Sequence, residues 1–233
     1  MNAAKKKGLA AASGFWRRNS LSLVLLALFG ISLFGQIAAG RAVLDRERIE
    51  HGQPPLDWGE YFRHGQFLSA TFENWESEFL QMGLYVLLTV WLRQHGSAES
   101  RKVEERNDGT EEEGGREIEP GPTPGPVRRG GAWAALYANS LSIALLSLFA
   151  LAFAGHVYGS WRQQVEQAQR EAQPVPSLSE HLGSAQLWFE SFQNWQSEFL
   201  AVLTLVVLSI WLRQAHSPQS KPVRAPHAQT GAG

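Results

Sequence analysis

Cysteine is absent from this chain of 233 residues. It therefore has no disulfide, no thiolate metal ligand and no thiol nucleophile. Net charge is almost absent as well. Lys and Arg number 21 and Asp and Glu 22, a balance of −1 at pH 7. A chain so nearly neutral has no global field that would draw it to nucleic acid or to an acidic partner. Catalytic signatures are also missing: there is no glycine-rich phosphate loop, no nucleophile elbow and no His-Glu-x-x-His pair. His51, His64, His95, His181, His216 and His227 lie in loops and tails without ligand spacing. The expectation is a non-enzymatic protein with no cofactor, no metal and no nucleic-acid partner.

What is present is a duplication. Phe72-Glu73-Asn74-Trp75-Glu76-Ser77-Glu78-Phe79-Leu80 returns as Phe192-Gln193-Asn194-Trp195-Gln196-Ser197-Glu198-Phe199-Leu200. Each copy runs into an apolar segment that closes on Trp-Leu-Arg-Gln. Trp91 pairs with Trp211 as Phe72 pairs with Phe192, an offset of 120 residues at both ends. Upstream, Asn19-Ser20-Leu21-Ser22 matches Asn139-Ser140-Leu141-Ser142, and Leu28-Phe29 matches Leu148-Phe149.

These segments read as membrane spans. Leu21 to Ala39 carries no charge, and its roughly nineteen residues give about 28 Å of helix. A basic flank and Ala38-Ala39-Gly40 also fit a cleaved signal peptide. The matching run from Leu136 to Val157 lies mid-chain, where no signal peptide can be, and favours a retained helix. The segment from Gln66 to Gln94 is expected to be one helix with an amphipathic start and an uncharged end. That uncharged end, Phe79 to Leu92, is only about fourteen residues, or roughly 21 Å, and spans with an interfacial turn from Trp75 and local thinning. Residues 41–65 read as a water-exposed loop, with the first helix continuing a turn or two before Pro54-Pro55 breaks it.

The expected architecture is an all-α membrane protein with four transmembrane helices, arranged as two tandem, parallel helical hairpin repeats. Its parts are a basic segment 1–14, a first repeat 15–97 with spans at about 20–40 and 75–94, and a disordered cytoplasmic linker 98–131. A second repeat 132–215 follows, with spans at about 135–158 and 195–214, and then a disordered tail 216–233. The N-terminal segment, linker and tail, together with the flanking Arg17, Arg18, Arg93 and Arg213, hold fifteen of the 21 basic residues, which places both termini in the cytoplasm and the protein in the cell membrane. Trp75 and Trp195 then serve as anchors at the outer interface, and Trp91 and Trp211 at the inner one. Small residues at helical spacing, Gly35 with Ala39, Ala150 with Ala154 and Gly155 with Gly159, would let helices approach closely. The expected partners are the lipid bilayer and either another membrane protein or a second copy of the chain.

Glu78 and Glu198 are the sharpest candidates for chemistry. Each lies one turn after an asparagine, Asn74 or Asn194, at the start of an apolar run. A carboxylate there must pair, protonate or face water. Gln36 and His156 occupy matching positions in the first and third spans. Together these six define a candidate polar cluster, and paired Glu78 and Glu198 suggest an ion, proton or solute transporter as the alternative function. The plainer reading is that both glutamates mark the interface.

Asn-Trp-x-Ser-Glu-Phe-Leu followed by Trp-Leu-Arg-Gln, present in both copies, resembles a family of small bacterial multi-pass membrane proteins of unknown function. The resemblance covers residues 15–97 and 135–217 and leaves the linker and tail uncovered. It implies an integral membrane protein and supplies no activity, so no catalytic role carries over.

Overall fold

The computed structural model describes residues 3–102 and 121–231. Among the described residues there are eight helices and no strand. They are α1 (Ala3–Glu50), α2 (Trp58–Tyr61), α3 (Gly65–Trp91), α4 (Gly125–Arg129), α5 (Gly131–Ala138), α6 (Ser140–Arg170), α7 (Leu178–Leu182) and α8 (Ala185–Leu208). The all-helical expectation holds. Of the four expected spans, two belong to helices long and apolar enough by themselves to cross a membrane, Phe15–Glu50 of α1 and Ser140–Arg170. α3 and α8 spend their first halves on polar residues, Glu73, Asn74, Glu76 and Glu78 in one and Glu190, Gln193, Asn194 and Gln196 in the other. Their remaining apolar stretch falls short of the roughly 20 residues that a bilayer core requires.

Helix boundaries keep the offset seen in the sequence. α1 ends at Glu50 and α6 at Arg170. Asp57 closes a capping box with Glu60 ahead of α2, and Ser177 does the same with Glu180 ahead of α7. Each box satisfies two orphan backbone donors. His64 and Ser184 then cap α3 and α8.

The chain divides into two compact units, Met1–Arg63 and His64–Gly233. In the first, α1 runs past the turn or two expected beyond its apolar part and continues to Glu50. No breaker intervenes before Gly52 and Pro54, and Arg41 and Asp45 form an i,i+4 pair at 3.3 Å. The segment read as a water-exposed loop then folds back onto this extension. Asp45 Oδ1 accepts from the Leu56 amide at 3.0 Å, and Arg41 Nη2 donates to the Leu56 carbonyl at 2.8 Å. The Arg41 guanidinium also lies 3.9 Å above the Trp58 ring, a cation–π contact worth about 0.5–1 kcal/mol. Leu44, Leu56 and Tyr61 are buried by this fold-back.

In the second unit, α3 and α6 pack antiparallel through glycines. A Cβ built on Gly65 or Gly159 would overlap the backbone of Gln163 or Ser69, and one on Gly155 would sit 2.6 Å from the Phe72 ring. Gly155 and Gly159 are thus used as the small-residue spacing implies. Ala150 and Ala154 are exposed, and Gly35 has open space around its missing Cβ. Glu166 of α6 completes the start of α3: its Oε2 accepts from the Gly65 amide at 3.1 Å and lies 3.2 Å from His64 Nε2. The segment after α6 folds back as its counterpart does. Trp161 Nε1 donates to the Pro176 carbonyl at 2.9 Å, and these residues stand 120 positions after Arg41 and Leu56.

The stretches after α3 and α8 differ from the disordered linker and tail read in the sequence. Gln94 N donates to Ser100 Oγ at 2.8 Å and Gln214 N to Ser220 Oγ at 2.9 Å, so the same turn follows both helices. Ser97 Oγ meets Ser209 Oγ at 2.9 Å. Lys221 is 1% exposed. Its Nζ donates to the carbonyls of Gly96, of Ile210 at 3.2 Å, and of His227 and Gln229 at 2.9 Å. Residues 121–131 contain α4 and the start of α5, and the acidic part of the linker, 103–120, lies outside the described residues.

Candidate functional site

Three helices of the second unit each present polar residues one turn apart. α3 gives Glu73 and Glu76, α6 gives His156 and Ser160, and α8 gives Gln186, Glu190 and Asn194. Spacings of three and four put each set on one helix face, and the glycine contact between α3 and α6 brings the faces together. His156 and Glu76 are fully buried at 0% exposure. His156 Nδ1 lies 2.6 Å from Glu76 Oε2, and its Nε2 lies 3.3 Å from Glu190 Oε2. The imidazole therefore bridges two carboxylates. Glu190 is the outward member, with 21% of its side chain exposed.

The remaining valences of the carboxylates are also used. Trp195 Nε1 donates to Glu76 Oε1 at 2.8 Å. Ser160 Oγ donates to Glu190 Oε2 at 2.8 Å, and Gln186 Nε2 to Glu190 Oε1 at 2.7 Å. Asn194 Nδ2 donates to Glu73 Oε1 and to the Glu190 carbonyl, the latter at 3.1 Å. Burial opposes ionisation of Glu190, but the hydrogen bonds from His156, Gln186 and Ser160 outweigh it and hold the carboxyl below its ordinary pKa. Glu73 is the reverse case, where burial raises the carboxyl above its ordinary value despite His156 nearby. His181 of α7 stands behind the cluster. It is 1% exposed, its Nδ1 lies 2.9 Å from Gln164 Oε1, and its Nε2 has no hydrogen-bond partner. Burial pushes its pKa below the ordinary histidine value.

Of the six residues singled out from sequence, the structure brings His156 and Asn194 into this cluster. Asn74 is exposed and bonds its own helix, with Nδ2 donating to the Ala70 carbonyl at 2.7 Å. Glu78 is exposed and Glu198 half-buried. The two are close enough for the Glu78 charge to act on Glu198, but neither reaches the imidazole. Gln36 belongs to the first unit. Among the expected anchors, Trp91 and Trp211 are 64% and 55% exposed, and Trp75 packs edge-on to Phe72 with centroids 5.5 Å apart. Trp195 departs from the anchor role, because its indole N–H points inward to Glu76.

The residues missed were Glu76, Glu190, Ser160, Gln186 and Glu73. Attention to positions shared by the two copies hid all but Gln186, which is matched by Gln66. Glu76 is answered by Gln196, Glu190 by Ala70, Ser160 by Gly40 and Glu73 by Gln193. The available signal was the opposite one, charge in one copy where the other is neutral. Among the described residues no group of three His, Asp or Glu side chains is arranged around a metal position. Both nitrogens of His156 already face carboxylates, so no lone pairs converge on a common point.

The molecule so defined is an all-helical protein with two helices able to cross a membrane and a buried carboxylate–imidazole cluster. The chain belongs to the family described as a domain of unknown function, DUF6766, which matches residues 12–232. The match takes in the linker and most of the tail, which the resemblance of the motifs had left uncovered, so both copies lie inside a single family domain. No curated protein and no solved structure matches the chain.

Proposed function

We propose that this protein is an integral membrane protein whose role is structural or interactive rather than enzymatic. It crosses the cell membrane four times as two tandem, parallel hairpins, with both termini and the linker in the cytoplasm. The short apolar halves of α3 and α8 serve as the second and fourth spans, with local thinning of the bilayer. The observation that carries this reading is the apolar surface left uncovered on α1. Leu21, Leu26, Ile31 and Phe34 are between 65% and 73% exposed, which hydrocarbon tolerates and water does not. Support for the paired plan comes from helix ends and capping boxes repeating at the sequence offset. The basic residues beside the spans, Arg17, Arg18, Arg93, Arg128, Arg129 and Arg213, favour the stated orientation. A membrane-protein partner or a second copy of the chain is the expected company.

The natural lack of cysteine makes the test direct. Single cysteines introduced at residues 110 and 225 should be shielded from an impermeant thiol reagent in intact cells, and cysteines at residues 52 and 172 should be labelled. Labelling at 110, or shielding of both 52 and 172, overturns the four-span plan.

A second reading, transport of a small ion or solute through paired Glu78 and Glu198, is favoured by one observation: the two carboxylates approach across α3 and α8 closely enough for one charge to act on the other. Flux into reconstituted vesicles that is unchanged by Glu78→Gln with Glu198→Gln removes it.

A further inference from the structure

The buried cluster lies apart from Glu78 and Glu198, and neither reading above uses it. Its hydrogen-bond accounting is unusual. Two nitrogen–oxygen contacts flank His156, a short one of 2.6 Å from Nδ1 to Glu76 Oε2 and a longer one of 3.3 Å from Nε2 to Glu190 Oε2, and the short one needs a proton between its atoms. A neutral imidazole brings only one N–H. With that proton on Nδ1, the Nε2 lone pair faces the Glu190 carboxylate and is free to receive a second proton. Neither Glu76 nor His156 touches water, and Glu190 does. Trp195, Ser160 and Gln186 fix both carboxylates from their far sides, so these groups are held in line rather than merely gathered.

We propose that Glu190, His156 and Glu76 form a proton-binding site in which Glu190 collects a proton from the aqueous side and His156 passes it to the buried Glu76 carboxylate. The step changes only O–H and N–H bonds. A proton from water protonates Glu190 Oε2 and moves to His156 Nε2, and the proton on Nδ1 leaves for Glu76 Oε2. The imidazole ends as its other neutral tautomer, Glu190 ends ionised, and Glu76 ends as a neutral acid still accepting from Trp195 through Oε1. The net change is one proton taken up from solvent, with no electron transferred. An imidazole hydrogen-bonded at both nitrogens suits such a shuttle.

The charged and titratable groups facing the line are accounted for on every packed element: Glu73 beside Glu76 on α3, Glu190 on α8, and His181 on α7. His181 is the second feature that points inward. Its Nε2 is buried without a partner, and burial lowers its pKa, so it adds no positive charge beside the site near neutral pH. Nothing in the step requires the chain to span a bilayer. It would fail or succeed independently of the topology test.

The other copy of the repeat supplies the variants. Gln stands at position 36 where His156 is expected and at position 196 where Glu76 is expected, so the helices carry these substitutions naturally. The full chain, in lipid nanodiscs, is titrated by infrared difference spectroscopy. On acidification one carboxylic-acid C=O stretch of a buried group should appear and be lost in Glu76→Gln. It should lose its pH dependence in His156→Gln, and in Glu190→Gln it should form at least ten-fold more slowly after a pH jump. Nitrogen NMR of labelled histidine in the unsubstituted chain provides a readout that needs no variant: one ring should exchange its Nδ1–H and Nε2–H forms over the same pH range. A band untouched by Glu76→Gln overturns the assignment. So does a band that titrates and relaxes normally in both His156→Gln and Glu190→Gln, or a set of histidine rings with no such exchange.

Discussion

Residue for residue, the two copies agree along the motif shared by α3 and α8 and disagree at the centre of the buried cluster. Trp75 and Trp195, Asn74 and Asn194, Ser77 and Ser197, Glu78 and Glu198 are the same. Several of these make the same local bonds. Asn74 and Asn194 donate to the carbonyl four residues back, and Ser77 and Ser197 to the carbonyl three back. The centre of the buried cluster is built from residues that differ, while Gln186, Asn194 and Trp195, which bond its carboxylates, are shared. Of its polar members Glu76, Glu190, His156 and Ser160, none has a counterpart of the same type. Shared positions thus record the demands of a common helix plan, and the unshared charges, Glu76 from one copy and His156 and Glu190 from the other, meet in a single cluster. This comparison can be broken by substituting both members of a pair.

The largest asymmetry should come from Glu76 and Gln196. Glu76→Ala leaves His156 Nδ1 and Trp195 Nε1 facing an empty, fully buried position. Removing one partner of a buried charged pair costs about 3–5 kcal/mol. Gln196 is exposed, and Gln196→Ala should stay within about 0.5 kcal/mol. Reversible denaturation in mixed micelles measures both. Equal losses would mean that the two copies are energetically alike and that the cluster has no special standing.

The glycines give the next contrast. Gly155 and Gly35 occupy the same position in the two copies. A Cβ at Gly155 meets the Phe72 ring, one at Gly159 meets the Ser69 backbone, and one at Gly35 meets nothing. Gly159→Ala should therefore cost about 1–3 kcal/mol through overpacking, since backbone cannot yield as a ring can. Gly155→Ala should cost less, and Gly35→Ala should be stabilising by up to about 1 kcal/mol from helix propensity alone. A loss at Gly35 comparable to that at Gly159 would place a close helix contact on α1.

These contrasts also mark what the residues alone disclose. Helix order, the breaks at Pro54-Pro55 and Pro174, and the duplication follow from local chemistry, because caps and prolines act within a few residues. Gly155 and Gly159 were visible as an interface for the same reason: small residues four apart make a flat face. Which helix they meet was not visible, because Gly65 and Ser69 lie some ninety residues earlier and nothing local ties them to α6. The cluster was half hidden for that reason and half by symmetry. His156 stood out only as the partner of Gln36, and Glu76 looked like one more polar residue at a membrane boundary. Lys221 was the least legible, since its four acceptors are backbone carbonyls, which every sequence has.

Acid should distinguish the copies next. Glu190 titrates below its ordinary value, held there by His156, Gln186 and Ser160 against its burial. A depressed carboxyl contributes stability that is present above its unfolded pKa of about 4.3 and is lost as pH falls through the folded value. His181 is depressed by burial. Below about pH 6.5 the unfolded chain takes up a proton that the folded imidazole refuses, so stability falls from there down to the folded pKa. The counterparts are Ala70 and Tyr61, neither of which carries charge in this range. Stability should therefore decline in two steps, one setting in below about pH 6.5 and the other below about pH 4.3. His181→Gln should remove the upper step and Glu190→Gln the lower, as read from denaturation midpoints at fixed ionic strength. If both variants keep the full decline, the acid sensitivity lies outside the second copy.

The smallest expected effect is local and tests the two chain ends that follow α3 and α8. The turns Gln94 to Ser100 and Gln214 to Ser220 are alike, and the next residue is Arg101 in one and Lys221 in the other. Lys221 sends its charge inward, where burial lowers its pKa and carbonyls from Gly96, Ile210, His227 and Gln229 surround the ammonium. Lys221→Met keeps the stem and removes the donors, leaving four carbonyls to find water at a cost of about 1–3 kcal/mol. That cost falls on segments that can open by themselves, so the midpoint of global unfolding should barely move. Hydrogen exchange should instead accelerate over 216–231 and, because Gly96 shares the ammonium, over 95–100 as well. Faster exchange in the tail alone would show that the ammonium holds one segment rather than joining two. Unchanged exchange in both would show that the serine bonds, Ser97 to Ser209 above all, are sufficient to hold the ends together.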